Sequence, residues 1–259
     1  MTSGTDTPTE TTTSVYVYGI VPSDVELEDD VQGVGDPPAA VKTVRSGPIA
    51  ALVSEIPVED PLGRPEDLTA HAALLDAAAA EVPVLPLRFG AVLTDERAVA
   101  EELLDANRDD FTAALGQLDG KAEFIVKARY DNDAILREIL SGSEELQQLA
   151  EAIRGKPEDA TRAERMALGE HITQAIEQYR AADTQRVADG LAELVVELAP
   201  REPTHELEAV HLALLAETDR QDDLEAALGE LAKEWDGRVT VRMLGPLAPY
   251  DFVVTRTPE

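Results

Sequence analysis

Four histidines, His71, His171, His205 and His211, are the side chains of this 259-residue sequence best suited to proton transfer or metal ligation. No two of them stand four apart with a glutamate between, the spacing that puts two imidazoles and a general base on one helix face. Cysteine is absent, which removes thiolate metal sites, thiol nucleophiles and disulfides together. Phosphate-cradling glycine loops, dinucleotide fingerprints and the strained turn that lifts a nucleophilic serine find no match. Calcium is disfavoured too, because no loop spaces its carboxylates around a central glycine. The expectation is a protein with no catalytic residue, no cofactor and no metal.

Two positions still invite a role. His71 shares a helix face with Leu68, Ala72 and Leu75, so it is expected as a polar group of the core, bonded to Arg88 or to a carbonyl at a strand end. Arg88 is the single charge in VPVLPLRFGAVL, residues 82–93, the most apolar stretch of the chain. Its neighbours Leu85, Leu87, Phe89, Ala91 and Leu93 alternate, which predicts an extended segment with one apolar face. Pro83 and Pro86 cannot donate ladder hydrogen bonds, so the segment belongs at a sheet edge or is bent. Arg88 there either holds a carboxylate, for example from the preceding helix, or meets a partner or an anion.

The elements that position these residues can be placed from the pattern. VYVYGIV (15–21) reads as a strand, and residues 40–56 as a hairpin turning at Ser46, Gly47 and Pro48. Pro65, Glu66 and Asp67 open a helix to about Ala80, and Thr94 or Asp95 can cap another running to about Leu104 and on toward Leu118. KAEFIVKARY (121–130) alternates as a strand. Ile172, Ile176, Tyr179, Val187, Leu191, Leu194 and Leu198 form a helical stripe broken by Asp183. LEAVHLALLAE (207–217) is ambiguous between strand and helix; Thr218 and Gln221 have capping-box spacing for a helix carrying Leu224, Leu228, Leu231 and Trp235. GRVTVRM (237–243) and YDFVV (250–254) read as closing strands, so the end of the chain suits a small sheet covered by a helix, of ferredoxin-like type. The division expected is a threonine-rich tail at 1–13 without order, an α+β domain at 14–130, a helical segment at 131–199 and a ferredoxin-like portion at 200–259.

Composition sets the surroundings. The net charge is −30, from 52 acidic and 22 basic residues, and only 5 of the basic ones are lysine. Dispersed acidity with little lysine points to a cytoplasm of molar salt, as in a halophilic archaeon, where a Debye length of about 3 Å screens the repulsion. No basic stripe is present to neutralise phosphates, so nucleic acid is not an expected partner. No apolar run of about 18 residues and no leader pattern is seen, so membrane insertion and export are not expected.

VYVYGIV, the helix bearing His71, LPLRFG, then KAEFIVKARYD and the terminal GPLAPYDFVV together resemble the gas vesicle accessory proteins GvpF and GvpL, in order over nearly the whole folded chain. Ala248 stands where that family often repeats proline, and the threonine-rich start is extra. The resemblance implies an α+β protein of two domains with small mixed or antiparallel sheets and covering helices, the C-terminal part ferredoxin-like, with long helices between. It implies an accessory or minor component of gas vesicle assembly, located in the cytoplasm or on the vesicle. Its partners would be the apolar shell protein GvpA and other accessory Gvp proteins, and the length leans toward GvpL. Leu87, Arg88, Phe89, Tyr250 and Phe252 are then the candidate partner contacts or structural edge. The competing reading is a small-molecule-binding regulatory or enzymatic α+β protein, which would show a concave pocket with convergent polar groups.

Overall fold

The computed structural model describes residues 13–28, 30–58 and 62–253. The tail expected at 1–13 lies outside them, apart from Thr13. The chain forms two compact units, one of residues 1–123 with 246–259 and the other of residues 124–245.

The first unit is built on strands β1 (Thr13–Pro22), β2 (Val41–Ser46) and β3 (Ile49–Pro57), joined in the antiparallel order β2-β3-β1. Residues Tyr16 to Val21 of β1 are all buried, which explains why VYVYGIV lacks a polar alternate position: both faces are covered. Helix α1 (Pro65–Ala79) packs on β1, and α3 (Arg108–Leu118) packs on β1 and β3. Between them a short α2 (Glu96–Ala98) runs into a π-helical stretch, Val99–Asp105. Asp95 caps α2 by accepting the Ala98 N–H at 2.8 Å. Gly19 is where strand, helix and edge come closest, since a Cβ there would stand 2.8 Å from both Leu75 Cδ2 and the Leu85 carbonyl oxygen.

The free side of β1 is taken by the proline-rich segment, in two short pieces. In β4 (Leu85–Pro86), Leu85 and Pro86 face Ile20 and Gly19; in β5 (Val92–Leu93), Val92 and Leu93 face Tyr16 and Val15. The change of register between the pieces makes Leu87–Ala91 bow away from the ladder, held by the Leu87 N–H on the Tyr18 carbonyl and the Val17 N–H on the Ala91 carbonyl, each 2.9 Å. The segment is thus both an edge and bent.

The second unit holds β6 (Lys121–Tyr130) from Phe124 onward, α4 (Asn132–Ser141), α5 (Glu144–Ile153), α6 (Arg162–Leu191), β7 (Glu197–Pro200), β8 (Glu208–Glu217), α7 (Gln221–Glu234) and β9 (Val239–Leu247) as far as Gly245. Strand order is β7-β8-β6-β9. Chain order strand, helices, strand, strand, helix, strand with that sheet order is the split βαβ arrangement of ferredoxin-like folds. Its extent differs from the expectation: β6, placed by sequence in an N-terminal domain ending at 130, is a central strand here. At its end the Tyr130 N–H donates to the Leu207 carbonyl and the Asp131 N–H to the Arg238 carbonyl, one toward each flank. Burial explains it, for Ala122 to Val126 are covered on both faces, Glu123 and Ile125 included.

Further boundaries move. The helical stripe stops at Leu191, and Leu198 lies in β7 rather than on the helix. LEAVHLALLAE forms the strand β8 from Glu208, buried as far as Ala216, so the apolar residues on either side of His211 reflect cover on both faces. A 3-10 turn, Thr218–Arg220, precedes α7, so the helix proper starts at Gln221 with Arg220 as its N-cap, later than the expected box at Thr218. YDFVV is not a strand: Tyr250, Asp251 and Phe252 form turns, and Val254 lies outside the described residues. From Pro246 onward the chain belongs to the first unit, not to a C-terminal portion spanning 200–259.

Candidate interaction surface

His71 sits on α1 and is buried. Its Nδ1 is 2.8 Å from the Tyr16 hydroxyl, and its Nε2 is 3.1 Å from the Leu87 carbonyl oxygen and 2.9 Å from the Tyr250 hydroxyl. A carbonyl only accepts, so Nε2 carries the proton and donates, leaving Nδ1 to accept from the Tyr16 O–H. The Tyr16 oxygen in turn accepts the Gly90 N–H at 3.3 Å. The rings of Tyr16, Tyr18 and Phe89 surround the imidazole. Burial pushes the His71 pKa below the ordinary histidine value, against the opposing pull of the Leu87 carbonyl. The imidazole is neutral and fully bonded, so it acts as a clasp.

The segment from Ala248 closes on the same unit. The Ala248 N–H donates to Asp76 Oδ1 at 2.9 Å and the Asp251 N–H to Glu123 Oε2 at 3.0 Å, on either side of the Tyr250 contact with His71. Burial raises the Asp76 pKa, countered by the Ala248 N–H. At the start of α1 the buried Asp67 carboxylate accepts from the Gly35, Gly63 and Arg64 backbone N–H groups and pairs with the Arg64 guanidinium, which depresses its pKa. VYVYGIV, the His71 helix, LPLRFG and the GPLAPY turn therefore meet around one imidazole.

The candidate contact residues divide on this geometry. Leu87 is 4% exposed and Phe89 is half-buried against Tyr16 and His71, so both are part of the packing. Phe252 is half-buried, whereas Tyr250 is 39% exposed with its hydroxyl turned to His71. Arg88 is exposed and makes no ion pair among the described residues. The carboxylate expected for it from the preceding helix is committed elsewhere, Asp67 to Arg64 and Asp76 to the Ala248 N–H. What the edge offers outward is Arg88, Gly90 and Val92, the last 45% exposed.

Sequence reasoning missed a buried charge cluster in the second unit. Asp183 of α6 accepts the Tyr130 O–H at 2.7 Å and pairs with Arg238 Nη2 at 2.9 Å; Arg238 Nε also donates to Glu138 at 2.7 Å. The guanidinium lies 5.3 Å from the Tyr130 ring centre and 5.6 Å from that of Tyr179. Burial would lower the Arg238 pKa, but Asp183 and Glu138 outweigh it and raise it. Burial and the adjacent Asp183 raise that of Tyr130. The signal was present: Asp183 interrupts an apolar stripe, and a carboxylate at a core position requires a partner.

The folds and clusters define an α+β protein of two units whose buried polar groups hold segments of the chain together. The family described as gas vesicle synthesis protein GvpL/GvpF matches residues 14–254. The chain belongs to that family, and membership gives it an accessory role in gas vesicle formation. It is 36% identical over 241 residues to gas vesicle protein F of Streptomyces sp. (strain CB03234), covering 93% of this chain and 99% of that one. Identity to gas vesicle protein F of Haloferax mediterranei is 27%, covering 93% of each chain. Identity to gas vesicle protein L of the same Streptomyces strain is 28%, covering 92% of this chain and 91% of that one. The crystal structure of the gas vesicle protein GvpF from Anabaena sp. PCC7120 shares the fold, with a TM-score of 0.78 at 24% identity over 94% of this chain and 100% of that one. Among the described residues no helix is long and apolar enough to cross a membrane.

Proposed function

We propose that the chain serves gas vesicle assembly by binding the shell protein GvpA and other accessory Gvp proteins during nucleation or early growth, in the cytoplasm, and stays with the vesicle as a minor component. The observation that carries this reading is the one-sided pairing of the proline-rich edge: β4 and β5 bond to β1, and the bow between them together with β5 leaves Arg88, Gly90 and Val92 exposed. A half-paired edge with an exposed apolar side chain can accept an extended segment of a partner. His71, Asp67 and Asp76, whose pKa values are shifted, are spent in hydrogen bonds within the protein, which favours binding over catalysis.

Leu87 and Phe89 are poor probes because their replacement by aspartate would disrupt packing. Val92→Asp and Arg88→Glu report on the surface itself. In co-purification with GvpA, Val92→Asp should weaken capture about tenfold, the effect of placing a charge in an apolar contact. Undiminished capture by a folded Val92→Asp protein places the interface elsewhere.

As for the member of the family, length leans toward L, but similarity favours F-type function: 36% identity to the F protein of one Streptomyces strain against 28% to its L protein. The relatives also do not select a saline source, because the Streptomyces protein is more similar than that of Haloferax mediterranei. The acidity nevertheless has a measurable consequence. With a net charge of −30, raising sodium chloride from about 0.1 to about 2 M should increase Tm by roughly 5–10 °C as repulsion is screened. A Tm that stays level or falls shows that the acidic surface is not tuned to salt.

A further inference from the structure

The second unit carries a cluster of cations that neither the fold nor the assembly role accounts for. Lys127 and Arg129 stand two apart on β6 and so share a face; Thr240 and Arg242 do the same on β9, the neighbouring strand. With His205 they line one groove of about 430 Å³. Positions of this kind on paired strands lie roughly 5–7 Å apart, so three positive charges are held close together.

In this chain such an arrangement is unexpected, because carboxylates outnumber basic groups 52 to 22. Lys42, Arg64, Arg108, Arg186, Arg220 and Arg238 each pair with an acidic side chain. Among the described residues Lys127, Arg129 and Arg242 do not. The two carboxylates on the groove are occupied: Asp131 caps α4 through the Ala134 N–H at 2.9 Å, and Glu208 accepts the Thr204 N–H and hydroxyl. His205 Nδ1 accepts the Leu207 N–H at 3.0 Å, so its proton is on Nε2 and adds another donor.

A groove lined by donors and cations whose local acids are already committed fits an acceptor from outside. We propose that it docks an extended acidic segment of a partner polypeptide with carboxylates at alternate positions. Successive carboxylates two apart on an extended chain repeat at about 7 Å, the spacing of Lys127 and Arg129, and guanidinium groups bind carboxylates bidentately. Nucleic acid fits less well, because three cations neutralise few phosphates. The protein itself displays the pattern that the groove would read. In SDVELEDD, residues 23–30, Asp24, Glu26, Glu28 and Asp30 are exposed while Val25 and Leu27 pack against the core.

A labelled SDVELEDD peptide, titrated with the full chain while following fluorescence anisotropy, tests this directly. Binding is expected at low salt, weakening as salt rises, with Arg129→Glu and Arg242→Glu each losing about tenfold in affinity. Arg97→Glu changes the net charge equally at an exposed position outside the groove and should alter affinity less than about twofold. The rearranged peptide VLSDDDEE, with the same composition, should bind several-fold more weakly. Absence of binding by a folded wild-type chain overturns the proposal, as does equal weakening in Arg97→Glu, which would show net charge alone at work. Equal affinity for the rearranged peptide overturns the alternate spacing, and tighter binding of a short oligothymidylate overturns the polypeptide in favour of nucleic acid.

Discussion

Replacing Arg238 by methionine should cost about 3–4 kcal/mol of stability in the second unit, read as a lowered urea midpoint with unchanged slope. Methionine keeps much of the aliphatic stem, so the loss comes from charge and hydrogen bonding. Arg238 is the cation that pairs with Asp183, whose side chain is 10% exposed. Removing it leaves a buried carboxylate with the Tyr130 hydroxyl, a single donor, and removes the cation from the faces of Tyr130 and Tyr179. Glu138 also loses its partner but has 36% of its side chain exposed and can return to water. The double change Asp183→Leu with Arg238→Met should therefore cost less than Arg238→Met alone, because no buried charge is stranded. A single change costing under about 1 kcal/mol would reduce the cluster to the level of a surface ion pair.

Replacing His71 by leucine should remove about 2–4 kcal/mol from the first unit, since the Tyr16 hydroxyl and Leu87 carbonyl lose a buried partner and the Tyr250 turn loses its clasp. The pH dependence carries a sign. Folding depresses the His71 pKa by burial, so the unfolded chain takes up a proton at higher pH than the folded one. The stability that neutral His71 contributes is complete above the unfolded value of about 6.5 and is lost as pH falls through that value toward the folded pKa. Stability curves between about pH 8 and 5 for the wild type and His71→Leu isolate this, because subtraction removes groups common to both. The gap between them should narrow as pH falls. A constant gap would mean that the His71 pKa does not change on folding, and a widening gap that folding raises it.

Both predictions concern residues that the sequence exposed unequally. The His71 position was legible: its face on α1 is apolar, and a polar side chain there requires partners in the core. Which partners was not legible, because Tyr16, Leu87 and Tyr250 are separated from it by up to 179 positions and meet only through the packing of a strand, a bent edge and a turn. Asp183 was visible only as a flaw in a helical stripe, and its ion pair with Arg238 joins α6 to the residue just before β9. Arg88 shows the reverse: a local rule assigned it a carboxylate from the helix before it, but Asp67 is held by Arg64 and backbone N–H groups, Asp76 by the Ala248 N–H, and no ion pair to Arg88 forms among the described residues.

The sequence by itself determined the existence and type of most elements, the bent edge character of VPVLPLRFGAVL and the family resemblance, because turn residues, two-residue alternation and helical periodicity are local. Tertiary structure decided which sheet owned KAEFIVKARY, that the turn after β9 belongs to the first unit, and that Lys127, Arg129 and Arg242 line one groove. The reason is physical. A strand buried on both faces carries no mark of its neighbours, and charges on separate strands acquire meaning only when hydrogen-bonded pairing brings them together.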